Sequence, residues 1–275
     1  MYTTLIDPAT LYAHHAAPDW VVVDCRFSLA DTAAGQHAYT AAHIPTAVYA
    51  HLDNDLSSTP VTDSGRHPLP APNSLRELFG RIGITATTQV VTYDNAGGMV
   101  ASRLWWMLRY MGHEAVAVLD GGWQVWEAAG YPTRAGVEQN APAVFVGQPR
   151  TEWLVVLDEV PHQPLLIDSR DADRYRGENE TIDPRAGHIP RAINYPFRAN
   201  LAADGRYRSP AELREQLTAV LGQTPPAQAT FYCGSGVSAC VNLLALAHAG
   251  LGDGRLYVGS WSEWSSDTGR EIVVG

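Results

Sequence analysis

Apolar residues in this chain gather in short runs separated by longer mixed stretches. Residues 21–24, 90–93 and 115–119 are such runs, and each is followed by a turn or a helical segment. The same succession returns at 165–168, 230–232 and 255–258. Short apolar runs of this kind suit strands buried on both faces. Alternating with helices, they predict an α/β fold: a mostly parallel sheet with helices on both faces. In such sheets chemistry collects at the carboxyl ends of the strands.

The runs belong to a longer repeat. Val21-Val22-Val23-Asp24-Cys25-Arg26 is matched by Leu165-Leu166-Ile167-Asp168-Ser169-Arg170, an offset of 144 residues. Ala42-His43-Ile44-Pro45-Thr46-Ala47 is matched by Gly187-His188-Ile189-Pro190-Arg191-Ala192, and Asp120-Gly121-Gly122-Trp123 by Val258-Gly259-Ser260-Trp261. The order is kept and the offsets drift only as loop insertions would, so the chain holds two copies of one domain. The first spans 1–133 and the second 150–275. Residues 134–149, with Pro142 and Pro149 among polar and small residues, read as the linker.

Composition narrows the chemistry. The 275 residues, 45% hydrophobic and 17% charged, fit two well-buried domains of ordinary size. A net charge of -10 argues against nonspecific binding to nucleic acid or to anionic membranes. All 19 cations are arginine. Schiff-base, pyridoxal phosphate and Walker-type chemistry, which need a lysine, are set aside. The first eight residues carry no basic stretch followed by an apolar run, so no signal peptide is expected. No apolar stretch is long enough for a bilayer span. Cys25, Cys233 and Cys240 are too few and too scattered for a disulfide framework or a zinc cluster. A reducing, cytoplasmic location is expected.

Thr230-Phe231-Tyr232-Cys233-Gly234-Ser235-Gly236-Val237-Ser238-Ala239-Cys240 runs from a β-prone stretch through a small-residue loop into an apolar helical one. The two glycines let the backbone turn tightly and aim successive N–H groups inward. The helix N-terminus adds positive potential at the same place. A thiolate at Cys233 should be stabilised there, with a pKa below the roughly 8.5 of a free cysteine, as a nucleophile requires. A cysteine at a strand end is otherwise a small buried hydrophobe; the loop that follows Cys233 tips the balance toward chemistry. Cys240, inside the helix, and Cys25, in the other copy, read as core residues. In the first copy the matching loop is Thr92-Tyr93-Asp94-Asn95-Ala96-Gly97-Gly98-Met99. Asp94 stands where Cys233 stands, so this copy should be catalytically silent.

These motifs resemble the tandem-domain rhodaneses, 3-mercaptopyruvate sulfurtransferases above all. The loop from Cys233 to Ala239 is similar to their Cys-Gly-Ser/Thr-Gly-Val-Thr pattern, with Ser238 in place of the last threonine. The two His-Ile-Pro motifs and the closing Tyr257-Val258-Gly259-Ser260-Trp261-Ser262-Glu263-Trp264 also resemble the family, which usually has an aspartate where Val258 stands. The resemblance covers essentially the whole chain. It implies two α/β rhodanese domains, the C-terminal one active, with the site in the cleft between them. It implies that Cys233 takes sulfur from a small anionic donor as a persulfide and passes it to a thiol, a thioredoxin-like protein or cyanide. Gly234, Gly236, Val237 and Ser238 are then the binding positions around that anion. Neither a metal nor an organic cofactor is implied.

Thiosulfate-specific relatives carry Arg-Lys directly after the cysteine, whereas here the positions are the neutral Gly234 and Ser235. That favours 3-mercaptopyruvate, a monocarboxylate, over the compact dianion. By resemblance Arg174 and Arg185 are the substrate arginines, their planar forks suiting a carboxylate. Arg176 is a reserve, and Arg170 is expected to tie strand ends together beside Asp168. Ser235 falls where the family has a serine in a relay with a histidine and an aspartate. His67 and Asp53 are the matching positions, with Asp55 fitting nearly as well. His43 and His188 occur in both copies and read as structural. A phosphatase on the same fold needs Cys-x5-Arg, and Ala239 occupies that arginine's position. A thiosulfate:cyanide sulfurtransferase and a persulfide carrier or binding module fed by a protein donor stay open as alternatives.

Overall fold

The computed structural model describes residues 1–62 and 64–275. The first half forms β1 (Leu5–Ile6), α1 (Pro8–His14), β2 (Trp20–Asp24), α2 (Ala34–Ala41) and β3 (Val48–Tyr49). It continues with α3 (Pro72–Arg81), β4 (Gln89–Tyr93), α4 (Met99–Tyr110), β5 (Val116–Leu119) and α5 (Gly122–Ala128). The second half forms β6 (Leu154–Val155), β7 (Leu165–Asp168), α6 (Ala172–Tyr175), β8 (Ile193–Asn194) and α7 (Pro210–Leu221). It ends with β9 (Ala229–Tyr232), α8 (Ala239–His248), β10 (Arg255–Tyr257) and α9 (Ser260–Ser266).

The strand orders are β1-β5-β4-β2-β3 and β6-β10-β9-β7-β8, and all neighbours run parallel. Position by position the orders are the same, so the repeat in the sequence is a repeat of topology. In the first sheet Val22 and Val91 pack with Leu11 of α1 and with Trp123 and Trp126 of α5. Thr92 points the other way and gives its hydroxyl to the Ala101 carbonyl of α4 at 3.0 Å. Because side chains alternate along a strand, the sheet is covered by helices on both faces. In the second sheet Leu166, Tyr232 and Tyr257 pack with Trp261 and Trp264 of α9. Phe231, on the opposite face, crowds Gly254 together with Leu243 of α8.

Paired charges close the strand ends in both halves. Arg26 Nη2 meets Asp24 Oδ2 at 2.6 Å, and Arg170 Nη2 meets Asp168 Oδ2 at the same distance. Each guanidinium also lies over a tryptophan, Trp123 at 4.3 Å and Trp261 at 4.7 Å. Arg170 thus has the bracing position expected of it. His43 and His188 are equivalent too: each stacks on a tyrosine and bonds that tyrosine's carbonyl through Nδ1.

Two compact units result. One comprises Met1–Ser58, Pro70–Arg150 and Asp204–Arg206; the other comprises Thr59–Leu69, Thr151–Ala203 and Tyr207–Gly275. The stretch 134–149, read as a linker from its prolines, runs as irregular chain along the first unit. Ala143 N–H donates to the Gly80 carbonyl, Asn140 to the Ile82 carbonyl, and Phe145 packs edge-on against Phe79. The boundary also differs at Thr59–Leu69. These residues precede α3 in sequence but make their contacts in the second unit. Among the described residues no helix is long and apolar enough to cross a membrane.

Candidate active site

In the second sheet β9 and β7 are neighbours, and the chain leaves them in opposite directions, toward β10 and toward β8. Divergence of this kind opens a crevice at the carboxyl ends of the two strands. Cys233 follows β9 directly and is 1% exposed. Its N–H donates to Ser260 Oγ at 3.1 Å, and its carbonyl accepts the Trp261 N–H at 3.0 Å. The Gly234 carbonyl accepts the Ser262 N–H, so the loop is sewn to the start of α9. Gly236 has φ +72°, and a Cβ there would lie 2.4 Å from the Val258 carbonyl oxygen. Only glycine permits that approach. Val258, with Gly65, Leu69, Leu157 and Gly259, lines a cavity of about 240 Å³ behind the loop.

The first unit reveals what such a loop binds. The Asp94 carbonyl accepts the Trp123 N–H as the Cys233 carbonyl accepts that of Trp261, so the two residues hold the same place. One Asp94 carboxylate oxygen accepts the N–H groups of Ala96 and Gly98, at 2.8 and 2.9 Å. The other accepts those of Val100 and Ala101, at 2.8 and 3.0 Å. The loop is a nest of N–H donors built around an anion. In the first unit its own carboxylate fills the nest; in the second the side chain at that position ends in sulfur.

Arginines meet the loop from two directions. Arg174, on α6 after β7, gives Nε and Nη2 to Glu180 and Nη2 also to Asp183 at 3.0 Å. Burial works against the charge on Glu180. The N–H groups of Asp183 and Ile182, with Arg174, outweigh it and hold the carboxyl below its usual range. The latch therefore stays ionised at neutral pH and loosens only as pH falls through that lowered value. Arg66 lies on the segment that joins the second unit from the first half of the sequence. Its Nη1 meets Asp183 Oδ1 at 2.6 Å. A Cβ on Gly234 would find Arg66 Nη2 at 3.2 Å and Arg174 Nη1 at 3.5 Å. Arg185 is placed differently: its two terminal nitrogens donate to the carbonyls of Asp267 and Arg270, at 2.9 Å each. Arg176 pairs with Glu178 on the surface.

His67 Nδ1 and Ser235 Oγ lie 2.7 Å apart, both nearly buried. Asp53 belongs to the first unit, where its N–H meets His51 Nδ1. The neighbouring Asp55 carboxylate accepts the His51 N–H and pairs with Arg81 in the same unit. Cys25 is wholly buried, its thiol pushed well up by burial and by Asp24, as suits a core residue. Cys240, also buried, points its sulfur at the Gly236 carbonyl. Among the described residues no three His, Cys, Asp or Glu side chains converge as metal ligands would.

Arg66 is the residue that sequence reasoning passed over. It stands directly before His67, so a signal was present, but a single arginine without a repeat partner does not mark a site in sequence.

The sequence matches the rhodanese-like domain twice, over residues 7–129 and 153–267. The chain belongs to the rhodanese family. This rhodanese is 43% identical to the "Probable 3-mercaptopyruvate sulfurtransferase" of Pseudomonas aeruginosa, over 98% of each chain. It is 32% identical to the thiosulfate sulfurtransferase of Bos taurus, over 92% of this chain and 87% of the relative. The solved 3-mercaptopyruvate sulfurtransferase from Leishmania major superposes with a TM-score of 0.85 at 33% identity, over 96% of this chain and 74% of that one. As a rhodanese, the chain carries the expected two-domain α/β fold.

Proposed function

We propose that this rhodanese is a sulfurtransferase that takes sulfane sulfur from 3-mercaptopyruvate through a persulfide at Cys233. The observation that carries the reading is the loop itself: a thiol in place of the Asp94 carboxylate, at the head of the equivalent strand-to-helix loop, with neutral residues after it. The Cys233 thiolate attacks the donor sulfur, and the C–S bond breaks with its electron pair going to carbon. The resulting enolate takes a proton to give pyruvate. A thiolate acceptor, a small thiol or a thioredoxin-like protein, then attacks the outer sulfur, leaves with it as its own persulfide, and frees the Cys233 thiolate. The N–H groups of Gly234, Gly236, Val237 and Ser238 cradle the persulfide anion. Arg174, latched to Glu180 and Asp183, holds the carboxylate. Arg185 is the second motif arginine and has to release the Asp267 or Arg270 carbonyl to join it.

Ser235, oriented by His67, donates a hydrogen bond to the donor's carbonyl oxygen as the enolate forms. The motif adds Asp53 as the third member of that relay. Ser235→Ala and His67→Ala should each lower kcat/KM for mercaptopyruvate by about 10- to 100-fold. Because the two act as one unit, the double variant should fall no more than about threefold below the weaker single one. Full multiplication of the two losses would separate them and remove the relay.

A reducing, cytoplasmic compartment that keeps Cys233 a thiol suits this chemistry. Likeness to a thiosulfate sulfurtransferase keeps a second donor in view. Mass spectrometry of the protein after brief exposure to mercaptopyruvate, or to thiosulfate, without an acceptor separates the readings. One added sulfur atom on the Cys233 peptide, removed by dithiothreitol and formed faster from mercaptopyruvate, is the expected result. Faster loading from thiosulfate names the other subclass. Loading from neither, with loading from a protein persulfide, leaves a carrier. Steady-state patterns should be ping-pong, and intersecting double-reciprocal lines would contradict the covalent intermediate.

A further inference from the structure

We infer that Ser260 is a positioning residue for the nucleophile: its hydroxyl, carried by a strained backbone, fixes the Cys233 amide and so aims the thiol for both sulfur-transfer steps. The inference rests on the Cys233 persulfide reading and adds to it a residue outside the loop.

The backbone of Ser260 has φ +56°, in the left-handed region that favours glycine. Thr46 and Arg191 also have positive φ, but they are counterparts in the two His-Ile-Pro motifs, so their strain belongs to the shared scaffold. Ser260 is different. Its counterpart in the first unit is Gly122, at φ +62°, where a Cβ would lie 2.3 Å from the Asp94 carbonyl oxygen. The turn just ahead differs as well: Gly259 has φ −59°, whereas Gly121 has +82°. The second unit thus holds a side chain where the first has no room for one. A serine kept where glycine would be free of strain points to a use for its hydroxyl.

Ser260 is wholly buried, and its hydroxyl has two partners. It donates to the Tyr257 carbonyl at 2.9 Å, which leaves its lone pairs for the Cys233 N–H at 3.1 Å. The next residue, Trp261, gives its N–H to the Cys233 carbonyl at 3.0 Å. Both peptide groups that flank the Cys233 Cα are therefore held from one short stretch, and the direction of its Cβ is set by them. In the first unit the side chain at this strand end is itself locked by four N–H donors. A thiol makes weaker hydrogen bonds than a carboxylate, so its aim depends more on the backbone that carries it.

Attack on the donor sulfur and release of the outer sulfur to the acceptor both take place at Cys233 Sγ. A misaimed thiol slows both steps, whereas a lost donor contact slows only the first.

The test compares Ser260→Ala, which keeps the strain and loses the hydroxyl, with Ser260→Gly, which loses both. In rapid mixing at saturating mercaptopyruvate, sulfur loading of Cys233 should slow by about 10- to 100-fold in each variant. Discharge of the loaded protein to dithiothreitol should slow by a similar factor, and KM for the donor should stay within about threefold. Ser260→Gly should nevertheless melt about 2–6 °C above Ser260→Ala, since it sheds the left-handed strain. Rates that follow the melting temperatures, nearly normal for Ser260→Gly and poor for Ser260→Ala, would reduce Ser260 to a structural residue and overturn the inference. So would loading within about threefold of wild type, or a slowed first step with a normal second one. Should Ser260→Ala fail to fold, the two half-reactions of Ser260→Gly decide it by the same criteria. If the wild-type protein takes no sulfur onto Cys233 from either small donor, the sulfurtransferase reading has failed, an outcome visible before any variant is made.

Discussion

Cys233→Ser is expected to abolish sulfur transfer, lowering turnover by at least about three orders of magnitude with either donor. An alkoxide is far harder to form than a thiolate, and a serine oxygen cannot store sulfur as a persulfide, so the two half-reactions lose the intermediate that links them. The exchange removes one polarisable atom and little volume from a residue that is 1% exposed, so the fold should survive. Cys240→Ser is the control. Its sulfur lies 3.5 Å from the Gly236 carbonyl, a contact a hydroxyl can keep, and activity should stay within about threefold of wild type. The same mass measurement checks both: the adduct should vanish from Cys233→Ser and persist in Cys240→Ser. Loss of the adduct in the second variant alone would move the nucleophile from Cys233 to Cys240.

Asp94→Ala should be the most damaging single truncation in the first unit, costing about 3–5 kcal/mol of stability. Four N–H donors close on that carboxylate. Truncation leaves them facing one another in a buried pocket, with neither solvent nor a side chain to accept from them. Asp94→Asn keeps one acceptor oxygen but sets an amide donor against two N–H groups, so it should recover only a part. Chemical denaturation measures the total, and amide hydrogen exchange localises it. Ala96, Gly98, Val100 and Ala101 should lose protection first, while the strand Leu165–Asp168 keeps its own. A loss below about 1 kcal/mol with protection unchanged would mean that water satisfies the nest, and that the carboxylate is not what holds it.

That nest explains why the two halves have diverged on one scaffold. Identical strand orders place residue 94 and residue 233 at the end of the central strand of each sheet. A carboxylate there accepts four N–H groups and stabilises the loop, although burial raises its pKa. In the proposed sulfur transfer, a cysteine there carries a charge that comes and goes with the reaction cycle.

Periodicity and repetition alone determined the α/β class, the duplication and the strand ends, and the loop pattern singled out Cys233 as the candidate nucleophile. These are local or periodic properties: apolar runs set the strands, and a cysteine followed by Gly-Ser-Gly needs no distant partner to be noticed. The pairing of His67 with Ser235 was legible too, through the resemblance of Gly65-Arg66-His67-Pro68 to a family motif. Arg174 was singled out by resemblance in the same way, and the fold brings it beside Gly234. Tertiary structure decided what depends on the path of the chain. It carried Thr59–Leu69 from the first half of the sequence into the second unit, and so brought Arg66 over Gly234. It also turned Arg185 to the carbonyls of Asp267 and Arg270, where the motif suggested a substrate arginine. An arginine looks alike in sequence whether it braces backbone or faces a ligand. Which it does depends on the carboxylates and carbonyls that folding brings within about 3 Å of it, and those come from residues far away along the chain.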